Sequence, residues 1–312
     1  MFSFGYQAAT LMIDEAMLGR VSAGCGFFAA LDQSGGSMPN ALRAYGIADG
    51  AYSNDEEMFA LMHEMRVRVM TAPAFTAPKI IAAILFEHTL DVQAEHQPVS
   101  AYLWEKRAIV PFLKIDQGLD IVHDGVRLMK PMPRLDALLA RAVEFGIFGT
   151  KMRSVIAEPS KEGITAIVAQ QFELAARICR HGLVPIIEPE VLATTDIKAA
   201  AEEVLLDELS RKLDALLHGQ KVILKLAIPE KPNLYRSLVD DDRVIRVLAL
   251  SGGLTREDAC NRLARNIGIT ASFGRALTED LSHSLSTFQF EIALAASIDQ
   301  IYRASVHKQE PG

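Results

Sequence analysis

The sequence predicts an α/β protein, a single-domain (β/α)8 TIM barrel. Three observations predict it: eight short apolar runs, helix-patterned segments between them, and no linker or low-complexity stretch in 312 residues. The runs lie at residues 24–31, 79–86, 109–115, 146–152, 183–187, 221–226, 244–250 and 268–272, and are rich in Val, Ile, Leu, Phe and Ala. Most are continuous rather than alternating, which suits parallel strands covered on both faces.

Between them, apolar residues recur at three- and four-residue steps. Residues 54–70 open on Ser53-Asn54-Asp55-Glu56-Glu57, with Ser53 or Asn54 as N-cap and carboxylates in the first turn. Segments 135–143 and 164–178 repeat the spacing, and 255–264 begins with the capping box Thr255-Arg256-Glu257-Asp258. A last helix over about 281–305 closes the fold. The rival is an open doubly wound sheet, marked by GxGxxG after its first strand. The nearest glycine cluster, Ser34-Gly35-Gly36-Ser37, has the wrong spacing. Residues 1–312 are expected to form one domain with a short flexible tail from about residue 306.

Composition narrows the function. With 50% apolar and 23% charged residues, 20 Gly and 13 Pro, the chain is not disordered, collagen-like or a coiled coil. At this size folding buries about 75% of the unfolded surface, so no covalent staple is needed. A net charge of −7 without a basic run speaks against a nucleic-acid partner. No apolar run approaches the ~20 residues that span a bilayer. Met1-Phe2-Ser3-Phe4-Gly5 lacks the basic-then-apolar pattern of a secretory signal. Cys25, Cys179 and Cys260 are scattered, with no metal-ligand spacing, which points to a reducing, cytoplasmic setting.

In such a barrel the reactive groups gather at the carboxyl ends of the strands. Asp32 follows the first run and Glu87-His88 the second; Lys114 and Asp116 sit on the third, Lys151 and Arg153 on the fourth. Glu188-Pro189-Glu190 ends the fifth and Lys225 lies in the sixth. Ser251-Gly252-Gly253 follows the seventh, and Ser272-Phe273-Gly274-Arg275 ends the eighth. A lone carboxylate after a strand is more often a turn or cap residue than a catalytic one. His88 and His181 are taken as structural. Lys225 differs, because Val222, Ile223, Leu224, Leu226 and Ala227 surround it and a closed barrel has no edge strand. An unpaired ammonium under the helix layer would be costly, so the lumen is favoured.

Three lysines around one mouth suggest amine chemistry. A lysine attacks a carbonyl only when unprotonated, and its free pKa is about 10.4. Low dielectric and a neighbouring cation such as Lys151 favour the neutral form. The resulting iminium is an electron sink that stabilises a carbanion at the next carbon, so it makes or breaks carbon–carbon bonds. Ser251-Gly252-Gly253 before the helix near Thr255, with Arg275, matches the phosphate site of a barrel's last two loops. Ser34, Ser37, Arg43, Lys114 and Arg153 offer a second anion site across the mouth. Two anion sites flanking a nucleophilic lysine suggest a bisphosphate or a long phosphosugar.

In order along the chain, several stretches together resemble class I, Schiff-base fructose-1,6-bisphosphate aldolases. They are Ala30-Leu31-Asp32-Gln33-Ser34-Gly35-Gly36-Ser37, Ile84-Leu85-Phe86-Glu87-His88-Thr89-Leu90, Lys114-Ile115-Asp116-Gln117-Gly118 and Lys151-Met152-Arg153. Val184-Pro185-Ile186-Ile187-Glu188-Pro189-Glu190, Leu224-Lys225, Leu250-Ser251-Gly252-Gly253 and Ser272-Phe273-Gly274-Arg275-Ala276-Leu277 continue the series. The resemblance implies reversible cleavage of fructose 1,6-bisphosphate to dihydroxyacetone phosphate and glyceraldehyde 3-phosphate in glycolysis and gluconeogenesis, without metal or other cofactor. It implies Lys225 as the Schiff-base lysine, Glu188 as general acid/base, Lys151 as its assistant, and Asp32 as the group that orients substrate and takes the hydroxyl proton.

Ser251, Gly252, Gly253, Ser272 and Arg275 would hold one phosphate, and Ser34, Ser37, Arg43, Lys114 and Arg153 the sugar chain or the other phosphate. A homo-oligomer is implied too. The chain departs from the family at Gln33, which replaces a carboxylate, at Met152, which replaces a Trp, and in lacking a C-terminal tyrosine. Its length and tail look like the bacterial branch. The alternatives are another Schiff-base aldolase, deoxyribose-phosphate aldolase-like, or a transaldolase-like barrel acting on a different phosphosugar, and a non-catalytic phosphosugar-binding barrel.

Overall fold

The computed structural model describes residues 13–192, 197–217 and 219–309. Eight parallel strands form the barrel: β1 (Phe27–Ala30), β2 (Ile80–Leu85), β3 (Val110–Lys114), β4 (Gly149–Ile156), β5 (Val184–Val191), β6 (Val222–Ala227), β7 (Val244–Leu250) and β8 (Ile269–Phe273). Each pairs with its sequence neighbours, and β1 closes on β8 with Phe28 opposite Ser272. All eight runs read from the sequence are barrel strands. Two extend beyond the apolar runs: β4 reaches Ile156 and β5 reaches Val191, so Arg153 and Glu190 lie within the strands.

The main helices are α1 (Glu15–Ala23), α2 (Met38–Ala44), α3 (Asp55–Thr71), α4 (Leu135–Glu144), α5 (Lys161–Arg180), α6 (Lys198–Asp214), α7 (Arg256–Ala264) and α8 (Thr287–Val306). Asn54 caps α3 by accepting from the Glu57 N–H, and Thr255 caps α7 by accepting from the Asp258 N–H. The last helix starts six residues later than expected, at Thr287, because Ser286 and Gln289 form a reciprocal capping box there. Helices α1, α2 and α6 have no counterpart in the sequence reading. On α6 the buried positions include Lys198, Glu202 and Glu208, so charged residues interrupt the apolar stripe that periodicity detects.

The lumen is packed, not hollow. Phe28, Ala82, Ile84, Phe112, Ile186, Ile223 and Leu248 fill its lower part, and Met17 and Val21 of α1 pack on them. Arg246 fixes α1 there by donating to the carbonyls of Val21, Ser22 and Gly24 at 2.7–2.9 Å, satisfying the helix's C-terminal acceptors. Helix α1 thus plugs the amino-terminal face of the barrel.

Of the tail expected from about residue 306, residues 307–309 lie at the plugged end. The Lys308 ammonium donates to the carbonyls of Leu263, Ile269 and Ala304, and the Gln309 N–H to that of Ala264. The N-terminal pentapeptide and residues 310–312 lie outside the described residues. No helix among the described residues is long and apolar enough to cross a membrane.

Candidate active site

Strand alternation decides which side chains enter the mouth. Residues 184, 186, 188 and 190 of β5 share one face, so the packed floor of Val184 and Ile186 gives way upward to Glu188 and Glu190. By the same period Lys151 and Arg153 follow Gly149 on β4, while Met152 between them faces the helices in the outer core. Lys114 ends β3 directly beside Lys151 in register, and Lys225 lies on β6 beside Leu248.

These residues form one connected network. The Lys151 ammonium stands 2.9 Å from Asp32 Oδ2 and 2.7 Å from Glu188 Oε2. The other oxygen of Glu188 lies 3.4 Å from Lys225 Nζ, so one carboxylate bridges two lysines. Lys151, Glu188 and Lys225 are each at most 4% exposed. Lys114 pairs with Asp116 Oδ1 at 2.8 Å and with that residue's carbonyl at 2.7 Å. Arg153 pairs with Glu190.

Burial alone would lower the pKa of Lys151, but Asp32 and then Glu188 outweigh it and hold the amine protonated far above the ordinary lysine range. Burial alone would raise that of Asp32, but Lys151, then Lys225 and Lys114, keep its carboxyl well below the usual carboxylate range. Arg153 is likewise raised, because Glu190 and Glu188 overcome the burial that would lower it. The mouth therefore holds a fixed cation at Lys151 and a fixed anion at Asp32, with Glu188 between two amines.

On the far side, Gly252 and Gly253 both adopt positive φ, 59° and 90°, in the turn that follows β7. Only glycine takes two such conformations in succession without strain. The Arg275 guanidinium lies beside this turn, with nitrogens 3.7 and 3.9 Å from where a side chain on Gly253 would begin. Ser251 and Ser272 are buried, and the Ser272 hydroxyl has no hydrogen-bond partner among the described residues. Opposite, the Ser37 hydroxyl accepts from the Ser34 N–H at 3.0 Å and donates to its carbonyl at 2.9 Å, shaping the loop after β1.

Arg43 is not brought into the network. It sits half-exposed on α2, 2.6 Å from Asp49, because the Asp49 carboxylate and Asn40 on its own side of the helix claim the guanidinium. His88 stacks on Phe59 with ring centroids 4.3 Å apart, and His181 reaches the surface carboxylate of Asp136.

The sequence places Asp116 and Glu190 at strand ends without giving them a role, and Arg66 is not singled out there. Asp116 and Glu190 each lie two positions from a chosen residue on the same face, and that period was signal enough to include them. Arg66 is 3% exposed and donates to the Gln33 carbonyl beside Asp32. It sits mid-helix, where no sequence pattern marks it.

A family model described as fructose-bisphosphate aldolase class-I matches residues 15–237. The chain belongs to the class I fructose-bisphosphate aldolase family. It is 50% identical over 297 residues to the class 1 fructose-bisphosphate aldolase of a Synechocystis species, covering 95% of this chain and 99% of the relative. It is 51% identical over 294 residues to that of Clostridium acetobutylicum, covering 94% of this chain and all of the relative. The solved fructose-bisphosphate aldolase from Plasmodium falciparum superposes with a TM-score of 0.73 over 96% of both chains at 19% identity, a likeness of fold. The nearly full-length matches to bacterial aldolases agree with the bacterial cast of the sequence.

Proposed function

We propose that this aldolase cleaves fructose 1,6-bisphosphate reversibly to dihydroxyacetone phosphate and glyceraldehyde 3-phosphate through an imine on Lys225. The reading is carried by the Glu188 carboxylate, which touches the amines of Lys151 and Lys225 at 2.7 and 3.4 Å in a buried barrel mouth.

The free amine of Lys225 adds to the C2 ketone, and Glu188 supplies the proton with which the carbinolamine hydroxyl leaves as water. Asp32, ionised throughout the working pH range, accepts the C4 hydroxyl proton. As that oxygen forms its carbonyl, the C3–C4 bond breaks, its electron pair enters the iminium as an enamine, and glyceraldehyde 3-phosphate departs. The enamine takes a proton at C3, and water hydrolyses the imine to release dihydroxyacetone phosphate and regenerate the amine.

Lys151 stays charged and holds both carboxylates in place, so the proton traffic falls to Glu188. Ser251, Gly252, Gly253, Ser272 and Arg275 bind one phosphate. Ser34, Ser37, Lys114 and Arg153 contact the sugar chain or the second. Arg43 is half-exposed and ion-paired, so it takes no part in this reading.

The same proposal places the enzyme in the cytoplasm as a homo-oligomer. The exposed pair Phe288 and Ile292, one turn apart on α8, supports assembly, and sedimentation velocity tests it. For the chemistry, a coupled assay for triose phosphates is run in chelator. Cleavage of the bisphosphate at an undiminished rate is expected, and loss of turnover in chelator contradicts a purely amine-based mechanism.

A further inference from the structure

We infer that Gln171 on α5 is a positioning residue that fixes the carboxylate of Glu188 from behind the barrel; the inference rests on the role proposed for Glu188. Gln171 is fully buried. It stands in the apolar stripe of α5, among Ile164, Ile167, Val168, Ala175 and Ile178, where helix periodicity asks for an aliphatic residue. Its side-chain oxygen accepts the backbone N–H of Glu188 at 2.8 Å. Its amide nitrogen has no hydrogen-bond partner among the described residues. The orientation is not arbitrary, because a backbone N–H can only donate and must face the oxygen.

The strand pairing shows why an acceptor is needed. β5 pairs with β6 only through Ile186–Ile223 and Ile187–Leu224, whereas its pairing with β4 continues to Val191–Ile156. At Glu188 the strand parts from β6, and Pro189 follows with no N–H of its own. The parting makes room for the Lys225 amine beside the Glu188 carboxylate. Gln171 supplies the acceptor at that point and ties the backbone of Glu188 to the helix layer. An apolar residue would fill the space as well but would leave a buried N–H unsatisfied, which proteins avoid. Gln171 touches no reacting atom, and its effect runs through the placement of Glu188.

The test compares Gln171→Leu with Val168→Ala, a core truncation one turn away, and with Gln171→Glu, which keeps an oxygen of the same reach. Gln171→Leu is expected to lower kcat about tenfold, a fraction of the 10²–10⁴ a placed acid contributes. KM should stay within about threefold, the acid limb of the kcat profile should move, and borohydride trapping of the imine should slow in parallel. Val168→Ala should lose thermal stability with kcat and the limb unmoved, and Gln171→Glu should keep both near wild type.

A folded Gln171→Leu enzyme with wild-type kcat and acid limb overturns the inference, as does an equal loss of kcat in Val168→Ala. If Gln171→Leu does not fold, Gln171→Glu decides: retained kcat and limb support the role, and their loss refutes it. Glu188→Gln separates this inference from the reading beneath it, because wild-type turnover in that variant removes Glu188 from the mechanism whatever Gln171 does.

Discussion

Replacing Lys151 by methionine removes the one ammonium that touches both Asp32 and Glu188, at 2.9 and 2.7 Å, while nearly preserving side-chain length. Breaking a buried ion pair by deleting one partner costs about 3–5 kcal/mol, because the remaining charge is left without compensation. Here two carboxylates lose their shared cation, with Lys225 still at 3.4 Å from Glu188. In the wild type the Asp32 pKa is depressed in the fold, so its contribution to stability is present above the unfolded carboxyl pKa, near 3.9, and lost below it.

Without Lys151, burial, the largest single influence on Asp32, dominates over the remaining Lys225 and Lys114 charges and raises that carboxyl's pKa in the folded state. The variant then binds a proton on folding, and its deficit grows with pH. Urea unfolding should show a deficit of about 3–5 kcal/mol at pH 7 that shrinks toward pH 4.5, at up to ~1.4 kcal/mol per pH unit as Asp32 takes up its proton. Cleavage should fall by roughly 10²–10⁴. A deficit that does not change with pH, or a variant as stable as the wild type at pH 7, would refute the pairing on which the site is built.

Lys114→Ala and Arg153→Ala should each raise KM for the bisphosphate by about 10–150-fold, the loss of one charged hydrogen bond at ~1.5–3 kcal/mol, and should leave fructose 1-phosphate kinetics nearly unchanged. Equal effects on both sugars would show that these residues do not serve the second phosphate. Arg275→Ala should weaken both sugars alike, and steady-state kinetics distinguishes the patterns. Removing residues 308–312 should lower the melting temperature while leaving kcat unchanged, since Lys308 anchors the tail at the start of β8, opposite the mouth. A fall in kcat on truncation would place the tail in the reaction.

The strands were legible in the sequence because each is a compact apolar run, and the mouth was legible because Asp32, Lys151, Glu188 and Lys225 interrupt or end those runs. What the sequence concealed has a common physical cause. Helix α6 buries Lys198 and Glu202 against each other at 2.5 Å, so its inner face carries charges that pattern reading assigns to solvent. Gln171 and Arg66 sit within helices and act on the backbone of Glu188 and Gln33, contacts that only the tertiary fold creates. Arg43 shows the opposite case. Its place after Ser34 and Ser37 suggested an anion ligand, but the turn at Asp49 brings a carboxylate to it first.

Every step of the cleavage depends on the Lys225 amine as the nucleophile. Enzyme incubated with fructose 1,6-bisphosphate or dihydroxyacetone phosphate and reduced with borohydride should gain one triose phosphate as a secondary amine. Peptide mapping should place that mass on Lys225 alone, and Lys225→Met should gain nothing. Label on Lys114 or Lys151 instead, or full turnover by Lys225→Met, would contradict it.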